Sequence, residues 1–174
     1  IYAVATNGIG HVADGTYAEA GILNKPGVTV RSDAGAATTI MDVPNGTLTT
    51  GGKVLANMGT VTFDGFTVKD FTEGGIIQGM SAGTRTTFHV LNNVLSPFGG
   101  YLRNGIQVSG DGSTVVGNTI TSAYLTSDWA STAIGVVDAN NVIVSGNTIS
   151  GEGDYGISAY TWNDATMSNI QILS

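Results

Sequence analysis

The sequence contains no cysteine, which excludes a disulfide framework and any metal site built on thiolates. It has only three prolines, and its 26 glycines show no strict three-residue period, which excludes a collagen-like triple helix. No apolar run reaches 18 residues, so the sequence predicts no transmembrane helix and no membrane insertion. Hydrophobic residues make up 41% of the chain, which is enough to form a core and argues against intrinsic disorder.

Positive charge is also scarce. Six Lys and Arg residues stand against 13 Asp and Glu residues, so the formal net charge is −7. An acidic surface repels nucleic acids and anionic membranes, and we therefore expect no nucleic-acid partner. The same charge repels anionic polysaccharides unless a cation such as Ca²⁺ bridges the two.

The main positive feature is a repeat of short strands. The segment NVIVSGNTIS (residues 141–150) is echoed by residues 113–122, 87–96, 60–69 and 164–173. A second short strand follows in the same order, at residues 75–79, 105–109, 133–137 and 156–160. The residues that precede the "T-I" pair of each repeat are Phe66, Asn93, Asn118, Asn147 and Ile170. Strands and Gly/Asn turns that recur every 23 to 29 residues predict a solenoid.

Equivalent positions of the repeat form apolar columns, since one strand residue in two points inward. The first predicted column contains Phe63, Val90, Val115, Val144 and Met167. The second contains Val68, Leu95, Ile120, Ile149 and Ile172, and the third contains Ile76, Ile106, Ile134 and Ile157. A polar column of Asn93, Asn118 and Asn147 lies where each strand bends. Asn tolerates the left-handed backbone of a bend, and stacked Asn amides hydrogen-bond from coil to coil.

These features resemble the right-handed parallel β-helix of the pectate-lyase-like superfamily. The opening segment HVADGTYAEAGILNKPGVTVRSDAG (residues 11–35) is similar to the first residues of many such domains. The resemblance implies an all-β, right-handed parallel β-helix of about six coils with near-zero helix content. It does not imply one activity, because this fold carries lyases, hydrolases, epimerases, phage tailspikes, adhesins and surface-layer modules.

We predict a single domain over residues 1–174, with irregular opening coils over 1–53 and regular coils over 54–174. The chain starts at Ile1 on what reads as a strand, so we expect a processed or excised segment of a longer secreted protein that acts outside the cell or on its surface. Neither end shows a capping element in sequence. Either caps belong to flanking sequence, or the coil ends pair head to tail with neighbouring subunits.

The loops between the two repeat strands are expected to stack on one side of the solenoid. They bring together aromatic, acidic and basic residues, namely Tyr101, Arg103, Tyr124, Asp128, Trp129, Asp154 and Tyr155. Such a set is typical of a carbohydrate-binding groove, and equally of a subunit contact, where Tyr, Trp and Arg are enriched.

Three aspartates follow the second strand of successive repeats and are candidate Ca²⁺ ligands: Asp111, Asp138 and Asp164. Ordinary turn chemistry is the simpler explanation, because Asp is common in turns and these residues show no ligand-spaced motif. We therefore predict no required cofactor, with Ca²⁺ as the one cation that these positions suggest.

No catalytic residue is predicted. His89 falls between two inward residues and should point to solvent, and His11 is isolated from any second candidate ligand or base. A polysaccharide lyase needs a base beside a cation-neutralised uronate, and the motifs that pectate lyases use for this are absent. Hydrolysis needs two carboxylates a set distance apart, and Asp128 and Asp154 fit this requirement without a motif that distinguishes them.

Threonine-rich segments around residues 47–50 and 84–87 suggest ice binding, but they do not keep a regular T-x-T array, and we set this function aside. Two functional hypotheses follow. The first is a non-catalytic extracellular structural β-solenoid that self-assembles through its coil ends. The second is a carbohydrate-binding domain, or a polysaccharide lyase or glycoside hydrolase, that uses the side with Tyr101, Asp128, Trp129, Asp154 and Tyr155.

Overall fold

The computed structural model describes residues 4–42, 52–56, 59–71, 74–78, 85–96, 104–122, 132–151, 154–162 and 166–174. The regular elements within these ranges are short strands, and none of the described residues is helical. Accordingly, the described ranges hold no helix of the length and apolarity that crossing a membrane needs.

The strands follow one another at short intervals. In chain order they are β1 (Ile9–Val12), β2 (Gly15–Tyr17), β3 (Gly21–Leu23), β4 (Thr29–Ser32), β5 (Thr39–Asp42), β6 (Gly52–Ala56), β7 (Val61–Asp64), β8 (Thr67–Lys69), β9 (Gly74–Gln78), β10 (Phe88–Leu91), β11 (Val94–Ser96), β12 (Asn104–Val108), β13 (Thr114–Val116), β14 (Thr119–Ser122), β15 (Thr132–Val137), β16 (Ile143–Ser145), β17 (Thr148–Gly151), β18 (Tyr155–Tyr160) and β19 (Gln171–Leu173).

Every third strand joins the same sheet. Sheet A has the order β1-β4-β7-β10-β13-β16-β19, sheet B the order β2-β5-β8-β11-β14-β17, and sheet C the order β3-β6-β9-β12-β15-β18. All neighbouring strands are parallel. A chain that winds through three parallel sheets in turn is a parallel β-helix, so the predicted fold class is confirmed. Strands β1 to β6, from the opening segment, belong to the same three sheets.

The core contains three inward columns that run along the solenoid, one in each sheet. Sheet A contributes Val30, Phe63, Val90, Val115 and Val144, sheet B contributes Met41, Val68, Leu95 and Ile120, and sheet C contributes Val54, Ile76, Ile106 and Ile134. All of these side chains are buried. Because coils stack about 4.8 Å apart, each column packs apolar groups continuously along the solenoid. The predicted columns are thus confirmed for the middle coils.

The predicted register of the last coil is wrong. Ile172 pairs with Val144 in sheet A, so it continues the first column and not the second. Met167 and Ile170 lie outside the strands and pack at the edge of the core. The cause is a connection of changed length: five residues separate β15 from β16, whereas ten separate β18 from β19. Because these five extra residues lie before β19, the sequence repeat of the last coil was aligned five positions too early.

The Asn column forms a hydrogen-bonded ladder, as predicted. Asn118 Oδ1 accepts from the backbone N–H of Asn93 at 2.9 Å, and Asn147 Oδ1 accepts from that of Asn118 at 2.9 Å. The ladder ends on the backbone N–H of Phe66, which donates to Asn93 Oδ1. The expectation about the bend needs correction, because the left-handed residue precedes each member of the column: it is Asn92 before Asn93, Gly117 before Asn118 and Gly146 before Asn147.

A second polar group is buried at the corner after sheet C. Gln78 pairs with the buried Ala56 of the preceding coil, and its side chain is fully buried. Its Oε1 accepts from the backbone N–H groups of Ser109 and Gly110, and its Nε2 donates to the carbonyl oxygen of Thr86. The Gln78 side-chain amide therefore supplies hydrogen bonds where the strand pairing ends, and it joins this corner to the neighbouring coil.

Candidate functional site

The loops that carry the predicted binding residues enter sheet C along one line. Asn104 pairs with Thr132, and Thr132 pairs with Tyr155, so the first residues of β12, β15 and β18 are in register. The chain segments just before these three residues are those that contain the predicted site. The premise that successive loops meet the solenoid at one corner is therefore supported by the strand register.

Five of the seven predicted binding residues, Tyr101, Arg103, Tyr124, Asp128 and Trp129, lie outside the described residues. Of the other two, Asp154 immediately precedes β18 and Tyr155 is its first residue, and both are exposed. The Tyr155 side chain is 54% exposed. An exposed ring beside a carboxylate can stack on a sugar face while the carboxylate accepts a hydrogen bond from a sugar hydroxyl.

The surface at the base of these loops is polar and internally bonded. Asn104 Nδ2 donates to Gln107 Oε1 at 2.6 Å, and Gln107 Nε2 donates to the carbonyl oxygen of Gln78 at 3.2 Å. One coil further, the Ser158 hydroxyl donates to Thr132 Oγ1 at 3.3 Å. Gln107 and Thr132 are both only 4% exposed. These groups stabilise the outer face of sheet C, and the exposed polar chemistry lies at Asp154 and Tyr155.

The candidate calcium ligands do not share one column. Asp111 lies three residues after Val108, whereas Asp138 lies two residues after Val136, the register partner of Val108. Asp164 lies outside the described residues. In the described ranges, no group of three or more His, Asp or Glu side chains is close enough to hold a metal ion.

Each of the two described aspartates has protein partners. Asp111 Oδ1 accepts from the backbone N–H of Asn140 at 2.7 Å, on the exposed turn between sheets C and A. Asp138 has a fully buried side chain, and its Oδ2 accepts from Arg85 Nη2 at 2.7 Å. Its Oδ1 accepts from the backbone N–H of Trp162 at 2.6 Å. Both residues therefore join neighbouring coils, and Ca²⁺ binding stays a prediction.

The two histidines lie apart on sheet A. His89 points outward between the buried Phe88 and Val90, as predicted, and its Nδ1 lies 2.8 Å from Thr114 Oγ1. Partial burial lowers the pKa of His89, which favours the neutral form of the ring. His11 Nδ1 lies 2.6 Å from Asp33 Oδ1 in an exposed pair.

The sequence interpretation missed two sets of residues. One is the corner at Gln78, which could have been found as a polar residue in an inward column. The other is the outward side of sheet B. The "T-I" pair that anchored the repeat supplied its inward isoleucines, whereas the threonines beside them, Thr119 and Thr148, are paired in register and exposed.

The fold and the sequence agree with one known family. Residues 52–174 match the family described as a right-handed β-helix region. This match covers most of the chain, so the protein belongs to the right-handed β-helix family. No curated protein and no solved structure shows a significant match to the chain. The family defines the architecture, and the function has to be argued from the surfaces of this chain.

Proposed function

We propose that this protein is a non-catalytic, extracellular or cell-surface structural module that associates head to tail through its coil ends. The observation that carries this proposal is the change in exposure along the inward columns. Val144 is 1% exposed, whereas Ile172, its partner in the next coil, is 55% exposed. In the other two columns, Ile120 and Ile134 are buried, whereas Ile149 and Ile157 are half-buried.

Strand polarity supports a head-to-tail arrangement. Strands β1, β2 and β3 are outermost at one end of the described sheets, and β19, β17 and β18 are outermost at the other. All run parallel, so a second copy stacked on the last coil continues all three sheets in the same direction. The contact is heterologous, and it therefore propagates into a filament unless something closes it. The β-helix fold also occurs in surface-layer modules and adhesins, and this supports placing the assembly outside the cell.

Two substitutions separate end-to-end association from side-to-side association. Ile172→Asp places a charge on the end face, whereas Ile143→Asp places one on the outer side of sheet A, where Ile143 is already 37% exposed. Size-exclusion chromatography with light scattering and negative-stain electron microscopy report the assembly state over a concentration series. We expect rods from the unaltered chain and from Ile143→Asp, and monomers from Ile172→Asp. The proposal is contradicted if the unaltered chain stays monomeric throughout, or if both variants assemble equally.

A second candidate function is carbohydrate binding at the line of loop ends beside β12, β15 and β18. The in-register positions of Asn104, Thr132 and Tyr155, together with the exposed Tyr155 ring, favour it. The protein's negative charge makes Ca²⁺ a natural bridge to an anionic polymer.

Affinity electrophoresis in gels that contain uronic-acid polymers, with and without Ca²⁺, tests this second function. We expect retardation that Tyr155→Ala weakens. Trp162→Ala is the matched control, because Trp162 is an exposed aromatic residue of the same coil beyond the opposite end of β18. If no polymer retards the protein, or if both variants behave alike, the exposed Tyr155 ring has no role in sugar binding.

A further inference from the structure

The two ends of the solenoid differ in how well their inward residues are covered. At the first end, Gly21 and Leu23 are buried although β3 is the outermost strand of sheet C. At the last end, Ile157 of the outermost strand β18 is only half-buried, and Ile172 of β19 is 55% exposed. The first end is therefore shielded from solvent at positions where the last end is open.

The chain before β1 folds back over the first end. Residues 4–8, called the strap, contain a tight turn in which the Gly8 N–H donates to the carbonyl oxygen of Ala5 at 2.9 Å. Asn7 provides the left-handed residue of this turn, with a φ of 59°. Its N–H donates to the carbonyl oxygen of Pro26 at 3.1 Å, which fixes the turn to the chain that leads into β4. As a result, Val4 returns to β1 and packs against the core.

Val4 fills a vacant position in the inward column of sheet A. Gly10 pairs with the fully buried Val30, so it is the member of this column in β1 and contributes no side chain. A Cβ at Gly10 would lie 2.6 Å from Val4 Cγ2. The Val4 side chain therefore occupies the space that an inward side chain of β1 would otherwise fill.

A hydrogen bond also holds the tip of the strap. Lys25 Nζ donates to the carbonyl oxygen of Val4 at 2.8 Å. Lys25 lies two residues after β3, so this bond joins the strap beside β1 to the chain that leaves sheet C. Both residues are half-buried. One apolar side chain and one hydrogen bond thus attach the tip, and such contacts are weak enough to be exchanged for others.

We propose that the strap inhibits end-to-end association, because it occupies the place that the neighbouring copy needs. This inference rests on the head-to-tail contact proposed above. In that contact, β19 of one copy lies beside β1 of the next, and the sheet A column continues from Ile172 to Gly10. The vacancy at Gly10 takes one branched side chain, either Val4 of the same chain or Ile172 of the neighbour.

Protein concentration decides this competition. Val4 is tied to Gly10 by a short turn, so its effective concentration is high, and the strap stays closed in dilute solution. The neighbouring copy displaces it only at high protein concentration, because association must overcome the cost of opening the strap. The strap therefore sets the critical concentration above which rods form.

A reversible disulfide tests this competition on the whole chain. The chain contains no cysteine, so the double variant Val4→Cys with Gly10→Cys has one possible pairing. The Val4 Cβ and a Cβ at Gly10 lie 3.9 Å apart, and disulfides accept Cβ separations of about 3.5 to 4.5 Å. Oxidised glutathione closes the bond, and dithiothreitol opens it. Light scattering and negative-stain electron microscopy over a concentration series should show monomers for the oxidised form where the reduced form makes rods.

A single substitution tests the opposite direction. Val4→Asn makes the tip polar without adding charge, and we expect it to lower the critical concentration on the order of tenfold, the weight of one buried valine side chain. Thr6→Asn is the matched control, because Thr6 is an exposed residue of the same turn. Adding Ile172→Asp to Val4→Asn should abolish the rods, whereas nonspecific aggregation of a destabilised chain would persist.

The outcomes separate the strap from the end-to-end contact. If rods form at the same concentration in the oxidised and reduced states, or if Val4→Asn and Thr6→Asn behave alike, the strap has no inhibitory role and the head-to-tail contact still stands. If no form assembles at any concentration, the head-to-tail contact itself is wrong. The inhibitory role is then wrong as well, because the strap has no association to inhibit.

Discussion

Removing the amide of Asn118 should destabilise the protein far more than removing any exposed side chain of the same coil. Asn118 is 1% exposed, and its Oδ1 accepts from the backbone N–H of Asn93 at 2.9 Å. Its Nδ2 donates to the carbonyl oxygen of Val90 at 3.0 Å and to Asn147 Oδ1 at 3.0 Å. Asn118→Ala removes these bonds and leaves the Asn93 N–H buried without its acceptor.

The expected loss follows from these contacts. An orphaned buried donor costs about 1 to 3 kcal/mol, and each lost neutral hydrogen bond contributes about 1 kcal/mol more. We therefore expect a loss of about 4 kcal/mol in the free energy of unfolding. For a chain of this length, each kcal/mol lowers the Tm by roughly 2 to 4 °C, so the Tm should fall by about 12 °C. Thr119→Ala, at the adjacent exposed position, should stay within about 0.5 kcal/mol.

Urea unfolding followed by circular dichroism gives the global effect, and hydrogen exchange at the Asn93 amide gives the local one. Exchange at Asn93 should accelerate more than exchange in strands two coils away. Asn118→Asp provides a second test, because it keeps an oxygen acceptor but places a carboxylate beside Asn147 Oδ1 and the Val90 carbonyl. Burial raises the pKa of the introduced carboxyl group, so this variant should regain stability as the pH falls. If Asn118→Ala loses no more stability than Thr119→Ala, the reasoning is refuted, since water would then satisfy the hydrogen-bonding groups of the Asn ladder.

Two further predictions concern the corner after sheet C and the outer side of sheet A. A Cβ at Gly110 would overlap the backbone carbonyl of Thr86, so Gly110→Ala should lower the urea midpoint steeply or prevent folding. Gly156→Ala is the control, because a Cβ at that position meets open space. A small effect of both substitutions would contradict the close approach of Gly110 to Thr86. His89 has a lowered pKa in the folded protein, so the unfolded chain binds more protons below its ordinary pKa of about 6.5. Stability contributed by neutral His89 should be complete above that pH and decrease as the pH falls below it. His89→Gln should flatten this part of the urea-midpoint profile, and an unchanged slope would rule the histidine out as its source.

The sequence was sufficient for the fold because two simple rules act together in a β-helix. Strand residues alternate between inside and outside, and identical positions of successive coils meet. Val90, Val115 and Val144 repeat at equivalent positions, and the structure stacks them in sheet A. The same rules placed His89 on the outside. Local patterning and tertiary packing demand the same residues at these positions, which is why the prediction succeeds there.

The errors arose where the coil length changes or where a polar residue replaces strand pairing. The ten-residue connection before β19 moved Ile172 into a different column, and sequence similarity alone does not reveal where a longer connection is accommodated. The left-handed turn residue was assigned one position late, although Gly117 and Gly146, which precede the two asparagines, carry the usual signal for it. The site prediction had a different difficulty. Loop residues such as Asp154 are not stacked by the repeat, so alternation and period do not fix their geometry.

The chemistry of the outward positions depends on register, which residue types alone do not reveal. On sheet A, outward side chains bond one another across coils, as Arg31 does with Asp64 at 3.0 Å. On sheet C, the Gln107 side chain accepts from Asn104 within β12 and donates to the Gln78 carbonyl oxygen of the preceding coil. Groups engaged in this way stabilise the solenoid and have little capacity left for a ligand. The threonines of β14 and β17 stack in register without such partners in the described ranges, so their regular spacing is presented to solvent. A count of threonines along the chain does not separate these two situations, whereas the pairing of strands does.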